Sequence, residues 1–169
     1  MPYPVWTAGQ RQTAALLAAM QPIVVTMSAD QSVTNSTTLT NVTELTFSMA
    51  ASAKYEVTAI IYASGSTTGD LQTNWAIPSG ASGLKGCWGP TAGSTDRTNT
   101  SMRSGAHGLT TAIAYGTSST SAGIACIERA LITTSSAGTW QLQFAQNTID
   151  ASNATRLFTG SYVIANRVA

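Results

Sequence analysis

From residue 22 to the end of the chain, apolar residues recur at every second position in short segments separated by clusters of Gly, Ser, Thr and Asn. In one such segment Leu45, Phe47 and Met49 alternate with Thr46 and Ser48. This period of two is that of a half-buried β-strand. About eight to nine segments of this kind, with no second helical pattern after the N-terminus, predict an all-β fold, an antiparallel β-sandwich or jelly roll.

Two features of the strand pattern bear on function. The segments Gly123–Thr133 (apart from Glu128 and Arg129) and Ile60–Tyr62 are apolar on both faces. Such strands are either central in a sandwich or covered by a partner subunit. The longest interruption, Gly89–Gly108, is predicted to be a loop, and loops of that length are usually functional or mobile.

The first 21 residues differ from the rest and form a predicted docking arm, followed by the β-domain at 22–169. Thr7 and Gln10 match a capping box, the next residues are strong helix formers, and Pro22 ends the helix. The helix packs either on the edge of its own domain or on a neighbouring subunit or host platform. The apolar residues expected to make these contacts are Tyr3, Val5, Trp6, Leu16, Leu17 and Met20.

Charged residues make up only 9% of the chain, and the net charge is +1. The two Lys and six Arg are scattered, which argues against a nucleic-acid partner, and a near-neutral surface permits association between proteins. We expect no signal peptide, because the N-terminus lacks a basic region followed by an apolar stretch. No apolar run is long enough to span a membrane, and with no signal peptide the protein is expected to be made in a cytosol.

No group of residues suggests catalysis, a cofactor or a metal site. His107 is the one histidine, and the seven carboxylates are dispersed at predicted strand ends and turns. Cys87 and Cys126 have no metal-type spacing; a disulfide is conceivable, but two buried free thiols are favoured for a protein made in a cytosol. The sequence therefore predicts that the protein is not an enzyme.

The tryptophans divide into two groups. Trp75 and Trp140 are in phase with core leucines and are predicted to be buried. Trp88 lies at the start of the predicted loop and could form a recognition surface, including one for a host cell-surface glycan, or the loop could simply fold over the sandwich edge. The residues of this candidate recognition loop are Trp88, Arg97, Arg103 and His107.

Three segments occur in the order seen in small virion proteins of tailed phages that infect actinobacteria. They are the N-terminal run Trp6–Met20, the segments Trp75–Gly83 and Gly138–Asn147, and they precede a closing apolar strand that ends in Arg167-Val-Ala. The chain resembles that group over nearly its whole length.

The resemblance implies a structural protein of the phage particle, made in the host bacterial cytoplasm and carried in the virion. It also implies a jelly-roll-like head that often trimerises, and it transfers no catalytic residue. Its members are described as minor tail, fibre or head-decoration proteins. No collagen-like or coiled-coil shaft separates the arm from the domain, which favours a short knob on the tail or capsid surface over a long fibre. A minor tail protein is slightly preferred over a capsid decoration protein, and a carbohydrate-binding module is the alternative from another class.

Overall fold

The fold is an antiparallel β-sandwich, as the sequence predicts, seen in a computed structural model that describes residues 7–11, 13, 14, 17, 20–94 and 101–169. Within these residues the chain forms twelve strands. They are β1 (Ile23–Thr26), β2 (Gln31–Val33), β3 (Thr40–Met49), β4 (Ala53–Gly65), β5 (Leu71–Ala76), β6 (Leu84–Pro90), β7 (Met102–Gly108), β8 (Ile113–Tyr115), β9 (Ser119–Thr134), β10 (Gly138–Ala145), β11 (Thr155–Leu157) and β12 (Tyr162–Arg167).

Eight of these strands have the connectivity of a jelly roll. The larger sheet contains the neighbours β1-β12-β4-β9, and the smaller sheet has the order β3-β10-β5-β8. The chain therefore passes from one sheet to the other at nearly every connection between these strands, and the last strand returns beside the first. The larger sheet continues beyond β9 through β6 and β7, while β2 and β11 pair with each other beside β4.

The segment predicted as a long loop, Gly89–Gly108, contains strand β7 at Met102–Gly108, and its first two residues end β6. Strand β7 pairs with β6 along its whole length, from Leu84 opposite Gly108 to Pro90 opposite Met102. The sequence of β7, Met-Arg-Ser-Gly-Ala-His-Gly, has no alternation of large apolar and polar residues, so it carries no strand signal of its own. Pairing with β6 makes it a strand.

The closing apolar segment, predicted to be one strand, contains two strands, β11 and β12. It is interrupted by a turn in which Gly160 has a φ of +87°, a left-handed conformation that favours glycine. The sequence prediction missed β2, β7 and the separate β11. β2 and β11 are each only three residues long, which is too short to show an alternating pattern.

The core lies between the two sheets and is the one that the alternation predicts. Trp75 and Trp140 are fully buried and meet edge to face, with ring centroids 5.1 Å apart, and Phe47 stacks on Trp140 at 5.3 Å. Aromatic pairs in these arrangements contribute beyond their buried area. Leu45 and Met49 are also buried, which confirms the strand pattern from which the fold was predicted.

Candidate interaction surface

The solvent-facing side of the larger sheet, here called the outer face, is apolar over much of its extent. It comprises the outward residues of β1, β12, β4, β9, β6 and β7. Seven of the large apolar side chains that the described residues leave exposed lie on it: Val24, Tyr62, Leu84, Trp88, Met102, Ile127 and Leu131. Monomeric proteins seldom expose so many large apolar residues together, and such patches usually mark interaction sites.

The strand register aligns four apolar side chains across the middle of this face. Tyr162 pairs with Ile60, Ile60 pairs with Ile127, and Ile127 pairs with Trp88, so the row crosses β12, β4, β9 and β6. Directly paired side chains in a sheet lie about 5 Å apart and form one continuous surface. We call Tyr162, Ile60, Ile127 and Trp88 the central row.

Trp88 lies flat on the sheet because the neighbouring outward position in its own strand is Gly86. A Cβ atom at position 86 would be 2.7 Å from Cη2 of Trp88, so any larger residue there would displace the indole ring. The ring is 42% exposed. With Leu84, Leu131 and Glu56 it borders a shallow depression on the outer face.

The charges on the outer face nearly cancel. Among the outward residues of its six strands, Lys54 lies at the start of β4, and Glu56 and Arg129 form an ion pair with each other. Arg129 is 59% exposed and Glu56 is 32% exposed. The middle of the face therefore offers a neutral, mostly apolar surface.

The structure separates the residues predicted to form a recognition loop. Trp88 faces outward, whereas Arg103 and His107, which pair with Gly89 and Lys85, face inward. The Nη1 group of Arg103 donates a 2.7 Å hydrogen bond to the carbonyl oxygen of Ala114, which ties the hairpin to β8. Arg97 lies outside the described residues. Trp88 is thus placed with the apolar side chains of the outer face.

The predicted docking arm falls mainly on positions that the structure does not describe, namely Tyr3, Val5, Trp6 and Leu16. In the described part, the Thr7 amide donates to Oε1 of Gln10 at 3.1 Å, which is one half of the predicted capping box. The Leu17 amide donates to the Thr13 carbonyl at 3.1 Å, as in an α-helix. Leu17 and Met20 are 49% and 43% exposed, so much of their apolar surface is left uncovered.

A buried polar cluster lies behind the outer face, between the sheets. Lys85 and Glu128 are fully buried, with 3.2 Å between Nζ of Lys85 and Oε2 of Glu128, although this contact is an ion pair rather than a directed hydrogen bond. The hydroxyl of Thr73 donates a short hydrogen bond to Oε1 of Glu128, and the hydroxyl of Tyr115 donates to the same atom at 3.0 Å. Every member of the cluster thus has a partner within the chain.

Lys85 has further contacts that hold its ammonium group in place. Nζ donates to the carbonyl oxygen of Thr111 at 3.3 Å and lies 5.0 Å from the centroid of the Trp75 ring. Burial, followed by the negative charge of Glu128, raises the pKa of the Tyr115 hydroxyl, so this group remains a hydrogen-bond donor. Because the cluster is closed to solvent and internally paired, it serves the fold rather than a substrate.

Cys87 and Cys126 are both buried and free, which confirms the prediction of two free thiols. Burial, with a smaller contribution from Glu128, raises the pKa of Cys87 to about 11, and burial also raises the pKa of Cys126. Reactive cysteines have lowered pKa values and access to solvent. These two thiols have neither property.

A metal site and a membrane-spanning helix are not found in the part of the chain that the structure describes. No three His, Cys, Asp or Glu side chains there are grouped so that they could hold a metal ion. No described helix has the length and apolar character needed to cross a membrane.

Sequence reasoning found part of the outer face and missed the rest. The two-sided apolar character of β9 and of Ile60–Tyr62 identified those segments as interface candidates. Leu84 and Met102 were missed because an isolated apolar residue in a glycine-rich segment has no period. Lys85 was missed because its partner Glu128 lies on another strand, and only the register brings the two together.

Comparison with known proteins gives distant structural similarity only. No protein-family model matches the chain, and no curated protein has a similar sequence. Among solved structures, the chain is similar to infectious bursal disease virus strain Gx (12% identity, TM-score 0.22), the VP2 subviral particle of that virus (12%, 0.20) and strain Gt (10%, 0.21). The similarity covers 88% of this chain but only 36% to 38% of those chains, so the protein spans little more than a third of their length.

Proposed function

We propose that the protein is a non-enzymatic structural component of a tailed-phage particle, a trimeric jelly-roll knob attached by its N-terminal arm to the tail or capsid surface. The observation that carries this proposal is the outer face, a neutral apolar surface that a free monomer would leave in water. Jelly rolls occur in viral capsid domains and in lectins, so the fold alone does not choose between functions. The resemblance to small virion proteins of actinobacterial phages supports a structural function in a virus particle over a lectin function.

The arm supplies the attachment in this proposal. Leu17 and Met20 carry exposed apolar surface next to the domain, and each is worth roughly 1.5–3 kcal/mol if it becomes fully buried on a partner. Deletion of residues 1–21 is expected to leave a folded domain, by near-ultraviolet circular dichroism, that no longer joins the particle. Unfolding of the truncated protein would show instead that the helix belongs to the core.

Mass spectrometry of purified particles of the virus that encodes the chain tests the proposal. We expect peptides of this protein at a fixed ratio to the major capsid protein, and their absence from particles would overturn the proposal. The copy number also separates its two versions. A few copies support the minor tail protein that we prefer, whereas hundreds support a capsid decoration protein.

A glycan-binding module is the second candidate, and the exposed ring of Trp88 favours it, because aromatic rings stack on sugars. Arg103 and His107 face inward, so they do not form the predicted recognition group with Trp88, which weakens this candidate. If it holds, Trp88→Ala abolishes binding on an array of bacterial cell-wall glycans while the fold survives. An array signal that is absent, or unchanged in the variant, rejects it.

A further inference from the structure

We propose that the outer face of the larger sheet is the surface through which copies of this chain pack against one another, with the central row at the middle of the contact. The inference deepens the proposed function by assigning the contact surface of its homotrimer. The partner is a second copy of the chain, and three properties of the face support that choice.

The first property is charge. Glu56 and Arg129 neutralise each other on the face, and the whole chain carries a net charge of only +1. Two copies that approach each other therefore meet little electrostatic repulsion. A strongly acidic or basic partner would find no complementary patch here, because the central row contains no charged residue.

The second property is size. Six strands at a spacing of about 4.8 Å, each taken over a length of about six residues at about 3.4 Å per residue, give a flat area of about 600 Å². The relief of the side chains increases the accessible area beyond this value. The face therefore approaches the roughly 800 Å² per partner that a stable specific interface buries.

The third property is shape and composition. The indole of Trp88 lies flat against Gly86, which keeps the centre of the face level. Aromatic and large aliphatic residues dominate the core of protein interfaces, and charged residues are depleted there. Tyr162, Ile127 and Trp88 provide this composition in one row, and the Glu56–Arg129 pair lies beside it.

Sedimentation equilibrium of the full chain and two matched variants tests the inference. Ile127→Lys places a charge in the central row, whereas Ile149→Lys makes the same change at an exposed isoleucine outside the twelve strands; the two side chains are 40% and 55% exposed. We expect the unchanged chain and Ile149→Lys to share one mass, about three times the 17.5 kDa of a single chain. We expect Ile127→Lys to dissociate, with self-association at least about 30-fold weaker.

Three results would overturn the inference: a monomeric unchanged chain, an Ile127→Lys variant with the parent mass, or equal dissociation of both variants. Near-ultraviolet circular dichroism, which reports the packing of Trp75 and Trp140, shows whether each variant is folded. Leu131→Lys, at another exposed position of the outer face, is the second variant if Ile127→Lys does not fold. A monomeric chain that is present in virus particles would overturn the inference and the trimeric state but not the virion role, whereas a trimer that is absent from particles would overturn only the virion role.

Discussion

Two neighbouring residues of β9 are exceptions to the rule that apolar side chains of a sheet face the core and charged side chains face solvent. Glu128 is charged and faces the core, whereas Ile127 is apolar and faces solvent with 40% of its surface exposed. The difference lies in where each finds a partner. Glu128 is paired with Lys85, Thr73 and Tyr115 inside the chain. Ile127 has apolar neighbours beside it in the central row, and its side chain is left partly open by the residues that the structure describes. The buried charge of Glu128 is compensated within one chain, and in our proposal contact with another copy covers the exposed side chain of Ile127.

The largest predicted effect comes from breaking the inner pair. Lys85→Met leaves Glu128 as an unpaired buried charge, which typically destabilises a protein by about 3–5 kcal/mol. Chemical denaturation of the variant measures this loss of unfolding free energy.

The double variant Lys85→Met, Glu128→Gln is the matched control. It removes both charges, and a glutamine carbonyl oxygen can still accept the hydrogen bonds of Thr73 and Tyr115. We expect it to recover most of the loss. A single variant as stable as the parent would contradict a structural role for the pair.

Two tryptophans differ in the same way, since Trp140 is fully buried and Trp88 is 42% exposed. Trp140→Ala is expected to cost about 3–5 kcal/mol of unfolding free energy, whereas Trp88→Ala costs about 1 kcal/mol or less. Both losses of unfolding free energy are measured in the Ile127→Lys background, because association would otherwise add to the apparent stability. Equal costs would mean that Trp88 is part of the folding core rather than of an interaction surface.

The smallest effect concerns the thiols of the inner side. With a pKa of about 11, the Cys87 thiol is only about 0.1% ionised at pH 8. We expect neither Cys87 nor Cys126 to react with a thiol reagent in the native protein at this pH, and both to react fully in denaturant. Rapid reaction of native protein would show that the core near Glu128 opens readily.

Most of the fold and about half of the outer face could be predicted from the sequence. Strands with clear alternation, such as those containing Leu45 and Trp140, were identified because period two reports burial on one side. β7 has no such period, and its conformation depends on pairing with β6, so it was predicted as loop. The same error placed Trp88 with Arg103 and His107, because a loop has no alternation of faces and a hairpin does.

The ion pair could not be predicted for a different reason. Lys85 and Glu128 are 43 positions apart, and their contact depends on the register between β6 and β9. Neither residue differs in local pattern from a surface charge. The apolar residues Ile60 and Ile127, in contrast, were recognised as interface candidates because an excess of apolar residues on both faces of a strand is visible in the chain itself.

Hydroxyl-radical footprinting of Trp88 in the full chain tests most directly whether the outer face is covered by a copy of the protein. We expect Trp88 to be oxidised several times more slowly in the parent chain than in the Ile127→Lys variant, while Ile149 is modified equally in both. Equal oxidation of Trp88 in the two proteins would show that the outer face is open to water and would contradict its packing against another copy.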